Sequence, residues 1–387
     1  MEKTNEIFQI LNYFSTFASI MTGLYIHIPF CKSRCIYCGF YSTTDIELRQ
    51  RYVDALIKEG QKRKTADVIS TIYLGGGTPS QLSISQLQQL FDALYNIYKV
   101  EPSVEITIEC NPDDVSDSFA TALSQLPINR ISMGAQTFND QRLQFLHRRH
   151  TAAQVSLAVE RLRKAGINNI SIDLMYGFPN ESLEDWQHDI DKALALDVEH
   201  ISAYCLMIEE GTVLYEKMNK GIKECDEELE RQMYYTLKDR LTGAGYEHYE
   251  ISNFARPGYQ SRHNSSYWTD IPYIGLGAAA HSYDGASRLW NVSNIQQYIQ
   301  GIETGQPTIE REELDAASRY NDRVMLSLST CNGLNLDSLN EQDTNYLLSQ
   351  AKKFLDEGLL RLESNHLRLS KEGLFVSNMI MSDLMKV

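Results

Sequence analysis

The chain has 387 residues, enough for two or three domains at roughly 150 residues each, and 43% of it is apolar, the proportion of an ordinary globular protein; disorder and fibrous repeats are excluded. Lys and Arg number 36 against 51 Asp and Glu, a net charge of −15 at pH 7, so the basic field that a nucleic-acid backbone or an anionic lipid surface requires is missing. No apolar run approaches the length of a stable membrane span.

Residues 1–22 read as an N-terminal extension that the fold can dispense with. The apolar stretch from Ile7 to Ile20 is broken by polar residues, and Glu2 and Glu6 stand where a secretory signal carries Lys or Arg, so a cytoplasmic protein is expected. Met21, which opens the run MTGLYIHIPFC, is a plausible natural start. From there short β-rich runs alternate with helical spacing. The strands are predicted at Leu24 to Ile28, Val68 to Leu74, Val104 to Glu109, Arg130 to Gly134, Ile170 to Met175 and His200 to Met207. The helices between them are predicted at Ile46 to Arg63, Ile84 to Tyr98, Val115 to Leu126, Ala152 to Ala165, capped by Gly166, and Leu183 to Leu196. Parallel strands joined by helical crossovers predict an α/β core over residues 23–252, a partial (β/α)6 barrel short of the eight strands of a full one.

Past Met207 the pattern weakens. An acidic helix is expected over Cys225 to Leu241 and a strand over Tyr246 to Ile251, followed by a loop-rich connection at 253–305 that carries Pro257, Gly258, Pro272, Gly275 and Gly277. Residues 306–387 read as a small C-terminal domain, helical from about Glu310, with a hairpin at Leu359 to Leu369 and a winged-helix character.

Chemistry concentrates after the first strand, where Cys31, Cys35 and Cys38 have the spacing C-x3-C-x2-C; Cys110, Cys205, Cys225 and Cys331 are scattered singly. An odd, sparse set of cysteines argues for a reducing compartment and one metal site rather than disulfides. Three thiolates are one short of a [4Fe-4S] cluster or a tetrahedral zinc. Either His27 or a distant Cys completes a zinc site, or one iron stays open for a small molecule. Further strand ends carry Gly75-Gly76-Gly77-Thr78-Pro79, Glu109, Gln136 and Asp173, and in parallel βα architecture such ends converge on one face.

At CKSRCIYC and GGGTP the sequence resembles the radical S-adenosylmethionine (SAM) superfamily. The segments YIHIPFCKSRCIYCGFYS, ECNPDD, NRISMGAQTFND, LHRRH, SIDLMYGFP and HNSSYW are similar to the branch that holds the oxygen-independent coproporphyrinogen III oxidases and the HemW-type haem chaperones. The resemblance implies a [4Fe-4S] cluster on Cys31, Cys35 and Cys38 whose open iron chelates SAM. It implies Tyr25 and Tyr37 beside cluster and SAM, Gly76, Gly77 and Thr78 at the methionine end, and Glu109, Gln136, Arg148 and Asp173 around the remainder. Arg148 is preferred to Arg149 because it stands two residues before His150, as the pattern LxRxH has it.

The branch holds two activities. The oxidases carry a fourth Cys two residues after the third, and a long N-terminal arm; here Phe40 takes the Cys position, and only about twenty residues precede the core. The chaperones carry HNxxYW, present as His263-Asn264-Ser265-Ser266-Tyr267-Trp268. The resemblance therefore implies a haem chaperone, with a coproporphyrinogen III oxidase (dehydrogenase) as the alternative. Its partners would be haem, a haem-acceptor protein of unknown identity, and an electron donor if SAM is cleaved. His263, read as an exposed loop residue, is the expected haem ligand; His281 competes with it, while His27 is expected to support the cluster through a neighbouring hydrogen bond.

Overall fold

The computed structural model describes residues 21–386. The expectation that residues 1–20 are dispensable lies outside the described residues.

Six parallel strands form the centre of one open sheet: β1 (Met21–Ile28), β2 (Val68–Gly76), β3 (Lys99–Cys110), β4 (Arg130–Gln136), β5 (Ile170–Tyr176) and β6 (His200–Cys205), neighbours in chain order. Each predicted strand is found, the last ending two residues early. The connecting helices are α1 (Arg49–Lys62), α2 (Ile84–Ile97), α3 (Asp117–Leu123), α4 (Asp140–Phe145), α5 (Ala152–Lys164) and α6 (Leu183–Ala195). Local chemistry sets their ends. Ser83 and Gln86 form a capping box at α2, as Ser182 and Asp185 do at α6, and Gly166 follows α5 at φ +87°, a conformation that favours glycine. The strands are buried along most of their length and read as near-continuous apolar runs.

The sheet does not close, because both of its edges are extended. On the β6 side lie α7 (Val213–Met218), α8 (Glu227–Gly243) and the antiparallel strands β7 (Glu247–Glu250) and β8 (Asn253–Ala255). After α9 (Arg262–Tyr267), β9 (Tyr273–Leu276) returns parallel to β1, and β10 (His281–Tyr283), β11 (Ser287–Asn291) and, beyond α10 (Ile295–Thr304), β12 (Ile309–Glu313) follow antiparallel. The loop-rich reading of 253–305 is corrected here: most of that stretch is short strand and helix built into the main sheet. Its strands are three to five residues long and are punctuated by Gly258, Gly277 and Gly285 at positive φ, too brief to show an alternating pattern. Likewise the chain near Glu310 is strand β12, and helix resumes only at Ala316.

The C-terminal part has its own core of Val324, Leu328, Leu347, Phe354, Leu367 and Ile380. Helix α11 (Ala316–Leu328), short strand β13 (Leu334–Asn335), α12 (Glu341–Asp356) and the hairpin β14 (Leu360–Glu363) and β15 (His366–Leu369) precede two short helices, α13 (Lys371–Phe375) and α14 (Ser377–Leu384). The hairpin falls where Leu359 to Leu369 predicted it and turns through Ser364 and Asn365, both at positive φ.

Candidate functional site

β1 feeds directly into the cysteine loop. Its neck is closed by two backbone bonds, Cys31 N–H to the Thr43 carbonyl (2.9 Å) and Thr43 N–H to the Pro29 carbonyl (2.7 Å), over fully buried Phe30. Ile36 pins the far side: its N–H donates to the Leu146 carbonyl and its carbonyl accepts from Leu214 N–H. The three thiols remain half-buried, and burial pushes those of Cys31 and Cys38 above the ordinary cysteine range, so a cation is needed to hold them as thiolates.

This donor set fits a cubane. The loop supplies three half-buried thiols, one short of a tetrahedral zinc's four, whereas a cubane takes each thiolate on a separate iron and can leave one iron open. Nor is a fourth ligand at hand. His27 has both ring nitrogens engaged, Nδ1 with the Tyr25 hydroxyl and Nε2 with the Tyr41 carbonyl (3.0 Å each). Among the described residues it hydrogen bonds to no cysteine; through Tyr41 it ties the loop's exit to β1. Cys110 is buried at the end of β3, and Cys205 lies against Glu230.

The neighbouring strand ends interlock with this loop. Gly77 N–H donates to the Ile28 carbonyl (2.9 Å), and a Cβ at Gly77 would lie 2.7 Å from the Pro29 carbonyl carbon, while one at Gly76, at φ +110°, would meet the His27 ring at 2.5 Å. The glycines thus let β2 press on the root of the cysteine loop; the close approach is to the chain itself. Glu109 receives the Tyr73 hydroxyl (2.8 Å) and Gly76 N–H (3.1 Å), and burial raises its carboxyl to about 7; burial likewise raises Asp173 to about 6. Gln136 ends β4 at φ +65° and is buried. Tyr37 is held protonated, chiefly by burial, with Arg148, Cys35 and Asp173 all within electrostatic reach.

Arg148 donates to the Asn111 side-chain oxygen (2.6 Å) and the Gly134 carbonyl (2.7 Å), its Nη1 lies 3.6 Å from Cys35 Sγ, and its buried Nε has no partner. Arg149 instead pairs with Asp113 (2.7 Å) and Asp114 (3.2 Å), so Arg148 is the arginine that faces the cysteines. Two residues of the ECNPDD segment escaped the sequence reading. Asn111 links Arg148 to Thr78, whose hydroxyl is 3.6 Å from Cys31 Sγ; Asp114 gathers Lys32, Ser80, Gln81 and Arg149 onto one carboxylate. The segment itself was the signal, and only its glutamate was assigned.

His263 departs from expectation. It lies in α9 with no exposed surface, Nδ1 bonded to the Thr71 hydroxyl and Nε2 to the Tyr267 hydroxyl (2.8 Å each), and its N–H bonded to Glu105 (3.0 Å). Its ring stacks on Tyr73 at 5.1 Å, and burial drives its pKa down to about 3. The reading of an exposed loop histidine fails because Ser261 caps a short helix whose inner face packs on β2 and β3. In front of this group opens a cavity of about 660 Å³ between the cysteine loop and the β9–β10 turn, with Tyr25, Phe40, Tyr41, Tyr267 and His281 on its walls.

An open parallel sheet with a three-cysteine loop after its first strand defines a radical SAM protein, and residues 25–193 match the family model of the radical SAM superfamily while 314–376 match that of the HemN C-terminal domain. Heme chaperone HemW of Lactococcus lactis is 38% identical over 80% of this chain and 82% of its own length, and heme chaperone HemW of Bacillus subtilis is 35% identical over 92% and 97%. The chain belongs to the HemW family. The solved coproporphyrinogen III oxidase HemN of Escherichia coli shares the fold, with a TM-score of 0.83 over 97% of this chain and 93% of that one at 22% identity. Among the described residues no helix is long and apolar enough to cross a membrane.

Proposed function

We propose that this protein binds haem and delivers it to an acceptor protein in the cytoplasm, carrying a [4Fe-4S] cluster on Cys31, Cys35 and Cys38 and an exchangeable SAM. The observation that carries this reading is kinship with HemW proteins along nearly the whole chain. Phe40 supports it, because it is an exposed aromatic where the oxidases of the branch have a fourth cysteine. When bound, the cluster would offer SAM's amino and carboxylate groups an open iron and could pass an electron from an external donor to the sulfonium.

The chain's own residues provide the rest. Arg148 sets a cation against the cysteines and has a free Nε–H for a carboxylate. Glu109 orients the Gly76 N–H, and Asp173 is an acceptor for ribose hydroxyls. The test is a titration of the anaerobically reconstituted chain with haem. About one haem per chain is expected, and no decarboxylation of coproporphyrinogen III under reducing, SAM-replete conditions. Multiple turnovers to protoporphyrinogen would overturn the chaperone reading in favour of the oxidase.

A further inference from the structure

We propose that His281 is the haem-iron ligand, on the wall of the cavity beside the cysteine loop, and that His263 acts one step behind it as a positioning residue for Tyr267. This rests on the reading that the chain binds haem. An imidazole ligand needs a free nitrogen lone pair and an open approach. Hydrogen bonding sorts the three histidines of this face. His27 and His263 each use both ring nitrogens inside the protein and are buried. His281, at the start of β10, is exposed, and among the described residues neither of its ring nitrogens has a partner.

The surroundings of His281 match the cargo. Its ring stacks at 6.1 Å on Trp290, its cross-strand partner, which holds the plane of the imidazole in one orientation. The cavity of about 660 Å³ lies within the roughly 300–1,000 Å³ span of small-molecule sites. Phe40 stands on its wall with 72% of its surface exposed, an apolar face that a flat macrocycle would cover. Arg34, also on the wall, has no ion-pair partner among the described residues and suits an anionic propionate. Partial desolvation by the cavity wall and the nearby Arg288 lower the pKa of His281, which favours the neutral ring and its free lone pair.

His263 does not line this cavity and meets it through two wall residues, Tyr25, on whose ring it stacks at 6.3 Å, and Tyr267. The Tyr267 hydroxyl bonds His263 Nε2, and the Tyr267 ring packs edge-on against Tyr273 at 4.7 Å, so the histidine and the second ring fix how Tyr267 is presented to the cavity.

The experiment is a haem titration of the anaerobically reconstituted full chain, read by optical and electron paramagnetic resonance spectra, with iron and sulfide content as the check on folding. Wild type is expected to show a histidine-ligated spectrum. His281→Ala should lose it and bind haem at least about tenfold more weakly, with its cluster intact, and added imidazole should restore the bands. His281→Met should instead give a methionine-ligated spectrum. His263→Gln should keep the histidine-ligated spectrum, with weaker binding. An unchanged spectrum in His281→Ala, or loss of the ligated form in His263→Gln with His281→Ala unaffected, overturns the proposal. Failure of wild type to take up haem overturns the haem reading beneath it, a result distinct from either of these.

Discussion

Two faces of this molecule meet at Tyr25, and they are built differently. On one side the cysteine loop, the ends of β2 to β4, Asp173 within β5 and Arg148 beyond α4 form the candidate site, each supplied by its own short motif. On the other, the wall of β9, β10 and α9 is assembled from residues that only the sheet's extension past β1 brings together, and the side chains that a motif would nominate are turned inward. The cysteine loop leaves its thiols half-open, while of the strand-end groups around it Glu109 is bonded by Tyr73 and Gly76 and Gln136 is buried. A motif in a short packed helix spends its chemistry on holding the wall in place.

The strongest way to test this contrast is to break the first face. Cys31→Ser, Cys35→Ser or Cys38→Ser should each abolish the cluster, because three thiolates leave no spare ligand and a serine oxygen is a poor donor to a soft iron-sulfur site. Iron and sulfide analysis after anaerobic reconstitution measures this. Ser at Cys110, Cys205, Cys225 or Cys331 should leave the content unchanged, and a loss at any of these would reveal a fourth ligand.

A smaller effect is expected at Arg148. A charge-assisted bond to a carboxylate contributes about 2 kcal/mol, so Arg148→Leu should weaken SAM binding roughly thirtyfold. Arg149→Leu, which removes only the pairs with Asp113 and Asp114, should change SAM affinity by less than about threefold. Equilibrium binding of SAM to the cluster-loaded chain separates the two, and equal losses would erase the distinction drawn here.

The smallest effect belongs to the second face and concerns pH. Burial holds the folded His263 near a pKa of about 3, while the unfolded chain titrates this group near 6.5. Below about pH 6.5 the unfolded state takes up a proton that the folded state refuses, so stability is lost as pH falls, by up to about 1.4 kcal/mol per pH unit. His263→Gln removes that loss. Its stability deficit relative to wild type should therefore shrink between pH 7 and pH 5 in denaturant unfolding, with the other buried histidines common to both chains. A deficit constant across that window would mean that His263 is not a buried neutral imidazole.

Much of this protein was legible in its sequence. The six core strands and five of the six helices between them appear near their predicted bounds, β3 starting earlier at Lys99 and the short α4 having gone unread, because β-rich runs and capping residues are local signals: Gly166 caps α5, and Ser182 with Asp185 opens α6. That the cysteines follow β1, that Glu109 lies near the end of β3 and that Arg148 rather than Arg149 lies beside a cysteine could be read from local motifs for the same reason. The strand expected at Tyr246 to Ile251 appears as β7, but the β8–β12 region was not legible. Three-residue strands such as Asn253–Ala255 and His281–Tyr283 carry no period of their own and exist through the neighbours they pair with.

What the sequence determined by itself is the chemistry available: three closely spaced thiols, a run of glycines, and polar residues at the ends of parallel strands. What only the tertiary structure decided is which groups remain free. The Gly76–Gly77 pair meets the root of the cysteine loop because β2 lies beside β1. His27 and His263 are consumed by internal hydrogen bonds, whereas His281 is left open on the cavity wall. A residue type states which bonds a side chain can make. Whether those bonds are already taken depends on partners such as Thr71, 192 residues away from His263 in the chain, and no local pattern encodes that distance.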